Sequence, residues 1–297
     1  MSALLPLDRL LALAPGRHYF ASPDSGCWLM VGRDLRTVER WEIVPPAASL
    51  TLAWGAGGCR VQYCGGLLAV GPGDWMWIDA GLAHAGENMP GSDFLTLFVP
   101  DSLVEAAALH LLPIGAASHR APPDLARLLV RLAALMLEGR AGLAVEQPML
   151  DGLLDWVGTC FPPQAAVPPA AQLMVRAAAM LRDRPAHRID ALAASLGLPA
   201  PVFSRRFRAF HRVSAQQYRK HVRLAAATRA LGRGSSILCA AHEAGFADSA
   251  HLSRTFRAQY GVSPSAWARA VAAEAPVRQM RSSTTGPHPL ASASASA

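Results

Sequence analysis

Lysine is almost missing from this 297-residue chain: of 28 basic residues, all but Lys220 are arginine. Arginine suits bidentate recognition of phosphate and guanine, although a biased genome composition explains the preference equally well. Residues 45–83 contain neither histidine nor glutamate. His84 therefore has no upstream partners with which to complete a three- or four-ligand metal site, and no metal or other cofactor is expected. The five cysteines (Cys27, Cys59, Cys64, Cys160, Cys239) are odd in number and scattered. That pattern excludes a disulfide framework and the close pairs of a structural zinc site. Buried, unreactive thiols are the preferred reading, with Cys59 and Cys64 near enough around a strand or hairpin to leave thiol sensing open. No apolar run is long enough to span a bilayer. The start, Met1 to Leu13, lacks a basic segment and is broken by Asp8 and Arg9, so no signal peptide is expected and the expected location is cytoplasmic. No nucleophile motif and no phosphate-binding glycine loop is present, which argues against an enzyme.

What is present is unevenly placed. Residues 171–281 hold 18 Arg/Lys against 5 Asp/Glu, a balance of +13, and the remainder holds 10 against 16, or −6. A basic region joined to an acidic one points to a polyanion partner for the former alone. The length allows two domains, and an apolar content of 52% supplies both with cores.

The basic region contains a near-repeat. Phe203 to Tyr218 is echoed by Leu252 to Trp267, with Ser204/Ser253, Arg205/Arg254, Phe207/Phe256, Arg208/Arg257, Ala209/Ala258, Val213/Val262 and Ser214/Ser263 in register. One supersecondary unit has been used twice. In each copy apolar residues recur at helical spacing (Phe203, Phe207, Phe210; Leu252, Phe256), which leaves Arg205, Arg208, Arg254 and Arg257 on the opposite face. A single arginine-rich helix is more often a solvated face than a DNA reader; the duplication reverses that preference. Each copy follows a short helix closed by glycine: Ile189 to Gly197, with Asp190 placed to cap it, and Ile237 to Gly245. Helix, glycine turn, basic amphipathic helix is the helix-turn-helix pattern. Ser214 is placed to cap a helix of roughly 18 residues, about 27 Å long, which links the two copies across a distance comparable with successive major grooves.

Two such units in tandem resemble the DNA-binding domain of the AraC/XylS family of bacterial transcription regulators, and the stretch Gly245 to Pro264 is close to that family's signature. Two departures stand out. Pro199-Ala-Pro201 opens the first reading helix, which removes hydrogen-bonding side chains from its start. Arg212 stands where the second copy has Gly261, a helix-ending position that favours positive φ. Weaker or different base reading by the first unit is expected.

Between about 26 and 100, short β-rich runs alternate with Gly/Pro turns: Cys27–Val31, Ser49–Trp54, Arg60–Tyr63, Leu67–Val70, Trp75–Ile78 and Phe94–Val99. Close-set strands suggest a sandwich or barrel, and Gly71 to His84 resembles a segment of cupin-like barrels, including the effector domains of AraC-type regulators. A barrel of this size holds one small ligand. Candidate contacts are Trp28, Trp54, Arg60, Tyr63, Trp75, Trp77 and His84, the last read as a turn or pocket-rim residue; the aromatics serve equally well as barrel filling. Helical stripes follow, Leu125/Leu128/Leu129/Leu132/Leu135 and Met149/Leu150/Leu153/Leu154/Val157, suited either to their own domain or, as the resemblance implies, to a dimer seam.

The expected architecture is α+β in two domains. A cupin-like β-barrel with flanking helices, for effector sensing and dimerisation, occupies 1–160, and a Pro-rich linker 161–170. An all-α double helix-turn-helix domain occupies 171–281, and a disordered tail 282–297. The expected function is a sequence-specific transcription regulator responsive to a small-molecule effector. Expected partners are double-stranded promoter DNA, the effector, a second copy in a homodimer, and RNA polymerase if the protein activates, with no membrane. Ser204, Arg205, Ala250, Ser253 and Arg254 are the base-edge candidates; Arg206, Arg208, Arg219, Lys220 and Arg257 are the phosphate candidates. The rivals are a DNA binder whose barrel serves only dimerisation, and a cupin enzyme carrying an incidental basic domain.

Overall fold

In the first domain, turn residues punctuate short runs of β-branched and aromatic residues, and the chain folds back on itself at each turn. A computed structural model describes residues 6–22, 24–45, 47–64, 66–107, 116–140, 142–160, 169–272 and 280–281. After α1 (Pro6–Leu11) come β1 (Gly16–Ala21), β2 (Trp28–Leu35), β3 (Glu39–Ile43), β4 (Ala48–Ala53), β5 (Cys59–Tyr63) and β6 (Gly66–Val70). There follow β7 (Asp74–Ile78), β8 (His84–Asn88), β9 (Ser92–Val99), α2 (Asp101–Ala106), β10 (Ala116–Arg120), α3 (Pro123–Leu137) and α4 (Leu143–Cys160). All six runs anticipated as strands are strands. The tail at 282–297 and most of the linker, 161–168, lie outside the described residues; Pro169 and Ala170, assigned to the linker, already belong to a helix.

The strands form two antiparallel sheets. One has the order β10-β7-β4-β9-β2-β1, and the other β3-β8-β5-β6. The expected barrel is open: among the described residues no strand ladder joins the two sheets. One edge of the large sheet is taken by β11 (Met280–Arg281), which pairs with β1 and brings the end of the described chain back onto the first domain. At the other edge only side chains bridge the sheets, Tyr63 donating to the Ala116 carbonyl (3.4 Å) and Ser118 to that of Ala69 (3.4 Å).

Strand alternation sends odd and even residues to opposite faces, and here both faces of the large sheet are covered. Trp75 and Trp77 lie with Leu50, Leu52, Leu95 and Leu97 in a core closed by α3 and α4, and Trp75 meets Trp156 edge-on at 4.6 Å. Met76, Ile78 and Ala53, on the other face, meet Val61 and Val70 of the small sheet. Both leucine stripes belong to the first of these cores: Leu125, Leu129, Leu132, Leu150, Leu153, Leu154 and Val157 are buried there. The chain's own sheet thus covers the faces considered for a dimer seam. Cys59 opens β5 and Cys64 lies in the turn just past its end, and no disulfide joins any cysteine. Burial pushes the Cys59 thiol up to about 11 and that of Cys27 to about 12, away from thiolate chemistry.

The second domain is helical: α5 (Pro169–Asp183), α6 (Ile189–Ser195), α7 (Ala200–His211), α8 (Ala215–Gly232), α9 (Ile237–Glu243), α10 (Ser249–Tyr260) and α11 (Pro264–Ala272). It is fused to the sheets by a shared apolar core in which Tyr19, Trp28 and Phe98 pack with Leu224, Phe256, Tyr260 and Trp267. The Trp28 and Phe98 rings are stacked, with centroids 3.5 Å apart, and Trp267 stands edge-on to Trp28 at 5.1 Å. Two hydrogen bonds reinforce the seam, Tyr218 Oη to the Gly81 carbonyl (2.8 Å) and Gln259 Nε2 to the Glu42 carbonyl (3.3 Å). Gly81 takes φ +76°, and a Cβ there would collide with the Arg182 side chain, so this crossing point requires glycine.

Candidate nucleic-acid interface

The two basic helices form for the reason their spacing suggests. On α7, Phe203, Phe207 and His211 are buried; on α10, Leu252, Phe256 and Tyr260 occupy the equivalent positions, 49 residues later. The intervening faces turn outward. Ser204, Arg205, Arg206, Arg208, Ala250, Arg254 and Arg257 are exposed, and Ser253 is partly so. Among the described residues none of these five arginines is ion-paired with a carboxylate. Lys220 is exposed on α8, whereas Arg219, half-buried, donates to the His187 carbonyl at 3.0 Å, and neighbouring Arg223 donates to that of Pro185 at 2.9 Å. Those two bonds tie α8 to the segment before α6. Arg219 thus has a structural task in addition to any phosphate contact.

Capping distinguishes the units. The α10 helix begins at Asp248, whose Oδ1 accepts from the His251 N–H at 2.6 Å. Its counterpart before α7 is Pro199, which provides no side-chain cap, and Pro201 follows in the first turn, where a missing N–H is tolerated. Both helices end in a left-handed residue, Arg212 (φ 63°) and Gly261 (φ 74°), as the alignment of the two copies anticipates. Asp190 does not cap α6; the N-cap is Arg188, and Asp190 lies in the first turn. Its carboxylate is drawn instead to the Arg188 guanidinium at 2.7 Å. Ser214 does cap α8, in a reciprocal capping box with Gln217. The 18 residues of α8 span about 27 Å, the link between the two reading heads.

A titratable group that sequence reasoning passed over lies inside the first unit. His211 is packed among Phe207, Phe210 and Tyr218, and its Nε2–H donates to the Met174 carbonyl at 3.0 Å. Burial holds its imidazole down at about 4. Its helical phase with Phe203 and Phe207 was the available signal.

The effector candidates separate. Tyr63 and His84 are directly paired across β5 and β8, on the face that meets the large sheet. Trp41 stands edge-on to His84 at 5.1 Å, and buried Thr51 and Thr96 share a hydrogen bond of 2.9 Å on the facing sheet. His84 is an interior residue rather than a rim residue: it is buried, Nδ1–H donates to the Leu82 carbonyl (2.8 Å), and burial lowers its imidazole to about 4. Arg60 points to solvent beside Glu87. Trp28 belongs to the interdomain core, Trp75 and Trp77 to the helix-covered core, and Trp54 packs against that same core. With helices covering the far face of the large sheet, an aromatic at a strand position does not distinguish the space between the sheets from its outside. Among the described residues no cluster of metal-ligating side chains occurs, and no helix is long and apolar enough to cross a membrane.

Against this geometry, residues 174–270 match the family described as "Helix-turn-helix domain", an interval that contains both units and the helix joining them. The second domain is therefore a helix-turn-helix domain. Among solved structures, the chain is similar in fold to an apo single-substitution variant of ToxT from Vibrio cholerae strain SCE256. The identity is 11%, with 82% of this chain and 96% of that chain covered and a TM-score of 0.51. Wild-type ToxT from the same strain, bound to an unsaturated fatty acid, matches with 10% identity, 86% and 97% coverage and a TM-score of 0.50. No curated protein matches the chain.

Proposed function

We propose that this chain is an AraC-type regulator that reads promoter DNA with α7 and α10 in successive major grooves, under the control of a small molecule held between its two sheets. The observation that carries the reading is the pair of equivalent helices, each anchored by three apolar or aromatic residues and each turning unpaired arginines outward. Arg205, Ser204, Arg254, Ser253 and Ala250 read base edges; Arg206, Arg208, Arg219, Lys220 and Arg257 hold phosphates. The first domain, 1–160, senses and dimerises, and the second, 171–281, binds DNA. The effector lies near Tyr63 and His84, where Thr51 and Thr96 provide further polar groups. That ToxT, of similar fold, has been solved with an unsaturated fatty acid supports a ligand in this architecture without naming this one. The protein acts in the cytoplasm, as a homodimer, with RNA polymerase as partner where it activates, and carries out no catalysis.

Sequencing the genomic fragments retained by the purified chain tests the central part of this reading. A shared motif with two elements about ten base pairs apart is expected; retained fragments of random sequence would contradict it. A melting-temperature screen of the same protein against metabolites tests the sensor, since a ligand that binds only the folded state raises the transition. A Tyr63→Ala variant that still responds to an effector would move the pocket elsewhere.

A further inference from the structure

The outward face of α7 does not look onto open solvent along its whole length. Arg205, Arg208, Ala209 and Arg212 line, together with Gln62 of β5, an open cleft of about 470 Å³. Gln62 alternates with buried Val61 and half-buried Tyr63, so its amide points away from the space between the sheets and toward the second domain. The volume lies within the range of small-molecule sites. Among the described residues no carboxylate is ion-paired with any of the three guanidiniums. Three like charges around one cleft repel until an anion enters, and guanidinium forks match phosphate oxygens in pairs. Arg212 holds its place in the left-handed region (φ 63°), where the second unit has Gly261. A side chain retained at that conformational cost marks a position where the side chain has a use. Arg212, one wall of the cleft, thus has no side-chain counterpart in the second unit.

We propose that this cleft binds the phosphate groups of a small phosphorylated compound, with Gln62 contributing from the sensor domain, and that its occupancy competes with base reading by Arg205. Only the competition rests on the DNA-reading role of α7; the binding does not. Phosphate also occurs in the DNA backbone. Gln62, a neutral side chain contributed by the first domain beside Arg205 and Arg212, favours the small compound, because a DNA backbone contact has no need of it.

The test uses the full chain, inorganic pyrophosphate as probe, and Gln62→Ala and Arg212→Gly as variants, with sodium chloride matching ionic strength. Pyrophosphate should raise the melting temperature of the wild type and displace its retained genomic fragments. In either variant the pyrophosphate affinity should fall by about tenfold, as for the loss of a hydrogen bond to a charged group. DNA affinity without pyrophosphate should stay within about twofold, as for an exposed substitution. A pyrophosphate effect no larger than that of matched salt, or equal effects on wild type and variants, would overturn the proposal. So would a loss of DNA affinity in Gln62→Ala equal to its loss of pyrophosphate affinity, which would assign the cleft to the DNA backbone. If the chain bound no DNA, the melting-temperature arm would still decide.

Discussion

The first and second helix-turn-helix units share one register and differ in nearly every supporting detail. The second has a capping aspartate, a glycine at its C-terminus, a tyrosine in its core and a broad aromatic seam with the first domain. The first has Pro199, Arg212 and His211 at the corresponding positions, and among the described residues Val44 and Ala83 are the apolar residues of the first domain buried in its core. The reading faces are the duplicated part, and the anchoring is not. The second unit is built as a fixed head, fastened to the sheets. The first is held mainly by its own helices, with the Tyr218 hydroxyl bonded to the Gly81 carbonyl, and opens onto a polar cleft against the first domain. An effector that shifts the two domains relative to one another would act on the two heads unequally.

The largest effect should follow from cutting the seam. Trp267→Ala removes a buried indole that touches Trp28, Tyr19 and Phe256, at a cost of about 3–5 kcal/mol. Denaturant unfolding should show that loss, and hydrogen exchange should place it in α10 and α11 rather than in α6 and α7. Equal deprotection of both units would mean that they form one cooperative body and are anchored alike.

Acid should separate the units next. His211 titrates at about 4 when folded, against about 6.5 unfolded. The neutral form is the one the fold prefers, so this contribution is complete above pH 6.5 and is lost as the pH falls toward 4. Its counterpart, Tyr260, is pushed up to about 12 by burial and stays neutral throughout that range. Melting temperature against pH should therefore fall less steeply in His211→Tyr than in the wild type. The residual slope comes in part from His84, which is depressed in the same direction. An unchanged profile would remove His211 as a cause.

The caps give the smallest contrast. Asp248→Ala should cost about 1 kcal/mol, and Pro199→Asp should return part of that amount to the first unit. Thermal denaturation of both variants measures this; a Pro199→Asp protein no more stable than wild type would show that the proline start already suits α7.

Much of this asymmetry was legible in the sequence. The tandem units, the proline start and the left-handed position of Arg212 follow from local rules of spacing and capping, and those rules act within a few residues. The seam was not legible, because Trp28 and Trp267 carry no sign that they meet across 239 positions. The same limit misplaced Trp75 and Trp77: alternation fixed their common face, but only the packing of α3 and α4 determines which face is outside. His84 is buried, with Trp41 edge-on to it, a strand neighbour that no motif announced. The pairing of β11 with β1 at one edge of the large sheet joins segments more than 250 residues apart, and no local pattern signals it.

The central claim is that two heads read two grooves, and binding-site selection at fixed salt tests it most directly. Wild type, Arg205→Ala, Arg254→Ala and Arg257→Ala would each be selected against random DNA. Arg254→Ala should relax the preference at one or two base pairs, with about 1–3 kcal/mol of discrimination lost. Arg205→Ala should act about ten base pairs away, with an equal or smaller effect. Arg257→Ala should weaken all sequences alike and reduce the salt slope by about one. If Arg205→Ala and Arg254→Ala relaxed the same base pairs, α7 and α10 could not lie in successive grooves, and the two-headed account would be contradicted.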